Sequence, residues 1–351
     1  MDINLKEELK ENIKQFAVEG LQDAPIVKAI NTIKTGHPIR SLKENYLVPH
    51  KVRKIGDGIY AITEAITATC YLIVGEKEAI LIDTGLGIKG LRETVEEITD
   101  LPLSVYVTHG SPWTVGGAAE FPKVHVAKKD IPEAKLFSKF KWRRKIFDFD
   151  PGKYLAGLKD HDLCDGECNF EAVTDEDKLD LGGRKVTIKP CLATTDGCIV
   201  FKDSKTSYTF CGNAAGPIIF LVPKKSATLY DYSRTLDTII KFSQGSRNYS
   251  HYMPFALSSA KTLEMSQLVK AAVKKGNRRD KLLETLVSPD NRRVLIYFPS
   301  RTKGKALRDK WQYFWDGQDR DGYELDKDKK SDSSEESENS FLAKVKEKLG
   351  R

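Results

Sequence analysis

Two histidines stand in settings suited to chemistry. His109 opens the loop Thr108-His109-Gly110-Ser111-Pro112-Trp113-Thr114-Val115-Gly116-Gly117, directly after the apolar run 103–107, and His251 sits in Ser250-His251-Tyr252-Met253. A neutral imidazole can ligate a metal or act as a general base near neutral pH. Asp83 in LIDTG (81–85), Thr194 in TTDGC (194–198) and Asn213 in FCGNAAG (210–216) are further polar residues in turn settings. Six cysteines, at 70, 164, 168, 191, 198 and 211, lie in ordinary or apolar contexts. A histidine with Cys198 or Cys211 could form a thiol nucleophile, but the spacing does not set either apart from an inert buried thiol. His161 with Cys164 and Cys168 gives half of a zinc knuckle and lacks a second ligand pair. The segment Ser138–Lys145 carries Lys139, Lys141, Arg143, Arg144 and Lys145 around Phe140 and Trp142. Such a patch can bind phosphates and stack bases. It also suits an amphipathic segment whose aromatics face a core while its bases face water.

These residues need a scaffold, and the periodicity supplies one. Apolar residues at near-helical spacing over 4–21, and a capped run over 25–35, predict an N-terminal helical extension within residues 1–49. From 50 onward the pattern turns to strands at 56–63, 67–75 and 78–85, then a helix over about 88–99 and strands at 103–107 and 123–127. Residues 130–170 read as an irregular basic insertion. Gly182-Gly183 marks a hairpin within 178–190, and a second hairpin covers 197–212. Helices at about 228–243 and 258–275 and a strand at 292–298 complete a domain over 50–315. The expected class is α/β, with helices outside two sheets. Beyond it, residues 316–351 read as a charged, disordered tail. Its acidic, serine-rich run offers phosphorylatable Ser333, Ser334 and Ser337, and a short basic amphipathic helix is possible at its end.

In order and spacing, LIDTG, TH-x6-GG (108–117), TTDGCIVF (194–201), FCGNAAG and SHYMPF (250–255) resemble the metallo-β-lactamase superfamily, in its glyoxalase II-like form, over about residues 50–300. The resemblance implies a four-layer αββα sandwich. It also implies a site on one edge of the sheets where two metal ions, zinc or iron, activate a hydroxide for hydrolysis. Carried over residue by residue, the first ligand cluster falls on His109, Ser111, Trp113 and Thr114. The next ligand falls on Thr194, the bridging aspartate on Asn213 and the last histidine on His251, while the supporting aspartate is Asp83. Five of the seven ligand positions are thus replaced. Asn213 is neutral and bridges poorly, Trp113 offers only an N–H, and hydroxyls compete weakly with water. If a metal binds at all, His109 and His251 are its candidates.

Three functional expectations follow. The first is a non-catalytic pseudoenzyme that keeps the fold, needs no cofactor, and binds a protein partner through the N-terminal helices or C-terminal tail. A small molecule could still use the old cleft beside His109, Trp113, Asn213 and His251. The second is a residual metal-dependent hydrolase of an ester or thioester, using zinc or iron. The third is a nucleic-acid-binding protein using residues 138–145, disfavoured because the related nucleases need the missing metals. Net charge is +7 over 351 residues, with the basic excess in 1–315 and the acidic residues concentrated in 316–338. That asymmetry suits a basic body with an acidic tail. There is no signal-like segment and no apolar run of membrane length, so the expectation is a cytoplasmic protein with reduced thiols. Oligomeric state is open.

Overall fold

The computed structural model describes residues 50–64, 68–147, 162–173, 178–221, 225–278, 284–289, 293–297, 299 and 302. The expected N-terminal helices, the acidic tail, its serines and its terminal helix, as well as His161, lie outside the described residues.

The first sheet has seven strands in sequence order: β1 His50–Gly56, β2 Ile59–Glu64, β3 Ala68–Val74, β4 Ala79–Ile82, β5 Leu103–Tyr106, β6 Val124–Ala127 and β7 Phe170–Val173. β1 to β4 form an antiparallel meander, and β4 to β7 continue in parallel. The second sheet is β14-β13-β11-β10-β9-β8, made from β8 Lys178–Asp180, β9 Lys185–Pro190, β10 Ile199–Asp203, β11 Thr209–Gly212, β13 Asn248–Ser250 and β14 Met253–Leu257. A three-stranded sheet sets β16 Val294–Tyr297 between β12 Ile218–Leu221 and β15 Glu284–Val287. The helices are α1 Leu91–Glu96, α2 Ile131–Phe137, α3 Phe140–Phe147, α4 Leu229–Ser243 and α5 Ser259–Lys274.

Period-two alternation splits each strand between two cores. Ile59, Ala61, Tyr71 and Ile73 of the first sheet meet Val186, Ile188, Phe201 and Phe210 of the second. The opposite faces of the first sheet, through Ile62, Leu72 and Leu81, pack on Leu91 and Val95 of α1 and Ala134 and Phe137 of α2. On the far side of the second sheet, Val200 and Cys211 pack with Tyr232, Leu236 and Ile239 of α4 and Met265 and Val269 of α5. Helices, sheet, sheet and helices therefore follow one another, the mixed α/β architecture that the periodicity predicts.

Several local expectations need correction. The strand expected at 56–63 is two strands around Asp57-Gly58, where Gly58 takes φ 59°. The helix expected over 88–99 is confined to Leu91–Glu96, because Gly90 at φ 97° and the bridge from Ile88 to Leu163 fix the preceding residues outside it. The described part of the insertion is not irregular. It holds α2, α3 and the edge strand β7, and Pro132 is accommodated in the first turn of α2, where its missing N–H costs no helical bond. Four short strands, β12 to β15, are not among the expected elements.

At the end away from the histidines, a buried ion pair joins the two sheets. Arg184 donates to both oxygens of Asp203 at 2.9 and 3.0 Å, and also to the carbonyls of Asp57 and Val74 at 2.9 Å.

Candidate functional site

The candidate site forms where the loops after β4, β5, β9, β11 and β13 converge. Asp83 follows β4 at φ 66°, a left-handed conformation that Asp tolerates better than most side chains. The loop after β5 is strapped to this turn by Thr84 N–H to Thr114 O (2.7 Å), Gly116 N–H to Gly85 O (2.9 Å) and Gly117 N–H to Thr84 O (2.9 Å). The backbones come so close that a Cβ on Gly116 would lie 2.1 Å from the Leu86 carbonyl carbon. The Gly116-Gly117 pair is thus a requirement of packing.

Asp83 accepts from the Thr108 N–H at 2.7 Å and from the Thr108 hydroxyl at 2.9 and 3.0 Å. The same hydroxyl lies 3.0 Å from Nδ1 of His109. With Asp83 ionised, the single Thr108 hydroxyl proton is directed to it, so Nδ1 of His109 is then the donor to Thr108, which leaves Nε2 with its lone pair. His109 and His251 are both buried, with ring centroids 5.5 Å apart. The His251 ring lies 4.0 Å from that of Tyr252, and Tyr252 is 6.2 Å from Trp113. Trp113 packs on the apolar group Ala68, Leu86, Ile88 and Leu163.

Burial sets the protonation states here. Desolvation pushes the Asp83 carboxyl up to about 7, against the lowering effect of its Thr108 hydrogen bonds. It takes His109 down to about 3, and lowers His251 well below the usual imidazole range with help from neighbouring His109. Both imidazoles are therefore neutral at pH 7.

The replaced ligand positions make bonds with one another. The Asn213 amide donates to the Thr194 hydroxyl at 2.7 Å. The Thr114 hydroxyl donates to the His109 carbonyl at 2.5 Å and lies 3.1 Å from the Ser111 hydroxyl. Neither ring nitrogen of His251 has a hydrogen-bond partner, nor does the Asn213 amide oxygen. The structure thus brings Asp83, His109, Ser111, Thr114, Thr194, Asn213 and His251 into one buried region, with Trp113 reaching it through Tyr252. Set against a binuclear divalent centre, these side chains do not fit: two imidazoles are too few donors, and no carboxylate stands at a bridging position. Among the described residues, no group of three or more His, Cys, Asp or Glu side chains is placed to hold a metal ion.

Three residues that shape the site carry no motif signal. Glu64 is fully buried and accepts from the N–H groups of Leu86 (2.5 Å), Gly87 (3.3 Å) and Ile88 (3.2 Å), with His50 Nε2 at 3.3 Å. Asp130 accepts from the Gly110 N–H at 2.8 Å and the Thr195 hydroxyl at 2.6 Å, joining the loops that carry His109 and Thr194. Burial raises its carboxyl to about 6. The third is Arg143, which corrects the reading of 138–145 as a basic surface. Its side chain is completely buried and donates to the carbonyls of Leu86, Cys164 and Ser138. Trp142 packs on the core of the first sheet, Lys141 lies over its ring at 5.0 Å, and Lys139 pairs with Glu167. The side chains of Arg144 and Lys145 lie outside the described residues. The C-x3-C pair is likewise engaged: Cys164 donates to Glu120 at 2.9 Å, and Cys168 faces the carbonyls of Phe121 and Asn169.

The profile of the metallo-β-lactamase superfamily matches residues 64–243, half of the chain, and the chain belongs to that superfamily. Solved structures of the same kind are similar. A metallo-β-lactamase from Pontibacter korlensis is 14% identical, covering 63% of this chain and 99% of that one, with a TM-score of 0.48. A metallo-β-lactamase family protein from Thermus thermophilus is 18% identical over 63% and 82% of the two chains, with a TM-score of 0.44. An archaeal superfamily protein from Sulfolobus tokodaii is 17% identical over 64% and 89%, at 0.46. No curated relative matches. No helix among the described residues is long and apolar enough to cross a membrane.

Proposed function

We propose that this superfamily member is a metal-free, non-catalytic binding protein. The observation that carries the reading is the Asn213–Thr194 hydrogen bond at 2.7 Å, between two side chains standing where the resemblance puts a bridging carboxylate and an imidazole. A carboxylate faces a cation, whereas an amide N–H and a hydroxyl oxygen bond to each other without one. The Ser111–Thr114 contact does the same for the first cluster. In this reading no metal-bound hydroxide forms, and the depressed basicity of His109 and His251 makes them weak general bases for ester or thioester hydrolysis. A cytoplasmic location, a protein partner for the terminal segments and the absence of a cofactor belong to the same reading.

The test is hydrolysis of a lactoyl-thioester by the full-length chain, with and without added zinc. The expected rate equals that of buffer in both conditions. Turnover that disappears in His109→Ala would overturn the proposal in favour of a residual hydrolase.

A further inference from the structure

Resting on the metal-free reading, the site also suggests what it would hold. Its unsatisfied groups can be counted. Neutral His251 offers one lone pair and one N–H, and neither nitrogen has a partner. His109 is held by Thr108 as the tautomer whose Nε2 is an acceptor. The Asn213 oxygen is a third acceptor without a partner, on the residue after Gly212, whose carbonyl accepts from the His251 N–H at 3.3 Å. Three acceptors therefore stand against one donor. Buried polar groups of this kind are normally satisfied, and each left open costs about 1–3 kcal/mol. An anion would bring more acceptors to an acceptor-rich site, so carboxylates and phosphates are disfavoured.

Two further features select a cation. Asp83 supplies one buried carboxyl behind His109, relayed through Thr108. The rings of Tyr252 and Trp113 follow His251 in series, at 4.0 and then 6.2 Å. Aromatic faces attract ammonium groups. We propose that the former metal site is an organic-ammonium site, in which the N–H groups of a compact primary amine head engage His109 Nε2, His251 and the Asn213 oxygen beside the Tyr252 and Trp113 rings. The lone pairs that a metal would have taken are then taken by N–H donors, and above about pH 7, where Asp83 is ionised, the charge is balanced by one carboxylate.

The experiment titrates methylammonium chloride into the full-length protein, with sodium chloride and sodium acetate at matched ionic strength as controls. The readouts are the histidine Cε1–H NMR signals and the thermal midpoint. Methylammonium should give a saturable shift of two histidine signals and raise the midpoint, and acetate should do neither. Asn213→Asp, which adds a negative charge and keeps the shape, should tighten methylammonium about tenfold, equivalent to about 1.4 kcal/mol. Trp113→Ala, which removes a half-buried ring, should weaken it. Equal responses to acetate and methylammonium, no saturable response, or an Asn213→Asp variant that binds no tighter would each overturn the proposal. Zinc content is measured on the same samples: zinc in the wild type refutes the metal-free reading itself, whereas a zinc-free protein that ignores methylammonium refutes only the ammonium site.

Discussion

Replacing Asp83 by asparagine should make the protein markedly acid-sensitive. In the folded chain Asp83 holds its proton up to about 7, against 3.8 for an ordinary aspartate, and Asp130 holds its own up to about 6. For carboxyls raised in this way, stability is greatest below the ordinary value and is lost as pH rises through the folded one. His109 does the opposite. It is depressed to about 3 from 6.5, so its contribution is complete above 6.5 and is lost as pH falls, and His251 shifts in the same direction. Between about pH 4 and 6 the folded state thus retains two protons that the unfolded state lacks, and lacks two that it retains. The four contributions cancel, and this cluster gives the wild type a nearly flat profile there. Asp83→Asn removes one retained proton and leaves both histidine contributions. Unfolding free energy should then fall by about 1.4 kcal/mol per pH unit on acidification, or roughly 3 kcal/mol from pH 6 to pH 4, relative to wild type. Urea denaturation at pH 4, 5 and 6, followed by tryptophan fluorescence, measures the difference. A wild-type to variant gap that stays constant over this range would refute the assignment of a neutral, desolvated Asp83 beside neutral imidazoles.

Other perturbations have clear expected outcomes. Arg143→Met should lower stability by about 1–3 kcal/mol for each carbonyl left unpaired, because three carbonyl acceptors lose a buried charged donor. Chemical denaturation checks this, and a neutral effect would restore the surface reading of residue 143. Gly212→Ala should unfold or strongly destabilise the site. Gly212 takes φ 51°, and a Cβ there would fall 2.2 Å from the Thr108 hydroxyl, so an unshifted thermal midpoint would contradict the close packing of Gly212 on the Asp83–Thr108–His109 relay. Glu64→Gln should cost about 1–3 kcal/mol, since the amide NH2 cannot accept from the N–H groups around it. Hydrogen exchange at Leu86, Gly87 and Ile88 should rise with it.

Much of this architecture is legible in the sequence because it rests on periodicity and glycine. The apolar faces of β2, β3 and β4 and the long amphipathic helices α4 and α5 are written as repeats, and Gly116-Gly117 marks a loop that must approach another backbone. The two histidines and their replaced neighbours could be placed in one region because the motifs occur in family order. Buried charge is what sequence conceals. Arg143 lies in a run of basic residues, and its burial depends on the carbonyls of Leu86 and Cys164, distant in the sequence, as well as on that of nearby Ser138. Glu64 left a faint signal, since it shares its face of β2 with Tyr60 and with buried Ile62, where an unpaired carboxylate would be costly. Asp130 gave none, for its partners Gly110 and Thr195 become neighbours only in the folded chain.

The most direct test of the metal-free reading is elemental analysis of the full-length protein, purified without chelator and exposed to zinc and iron during expression. Zinc, iron and manganese are expected far below one atom per chain, with no gain in thermal midpoint on adding zinc. Near-stoichiometric metal that is lost in the His109→Ala and His251→Ala variants would contradict it.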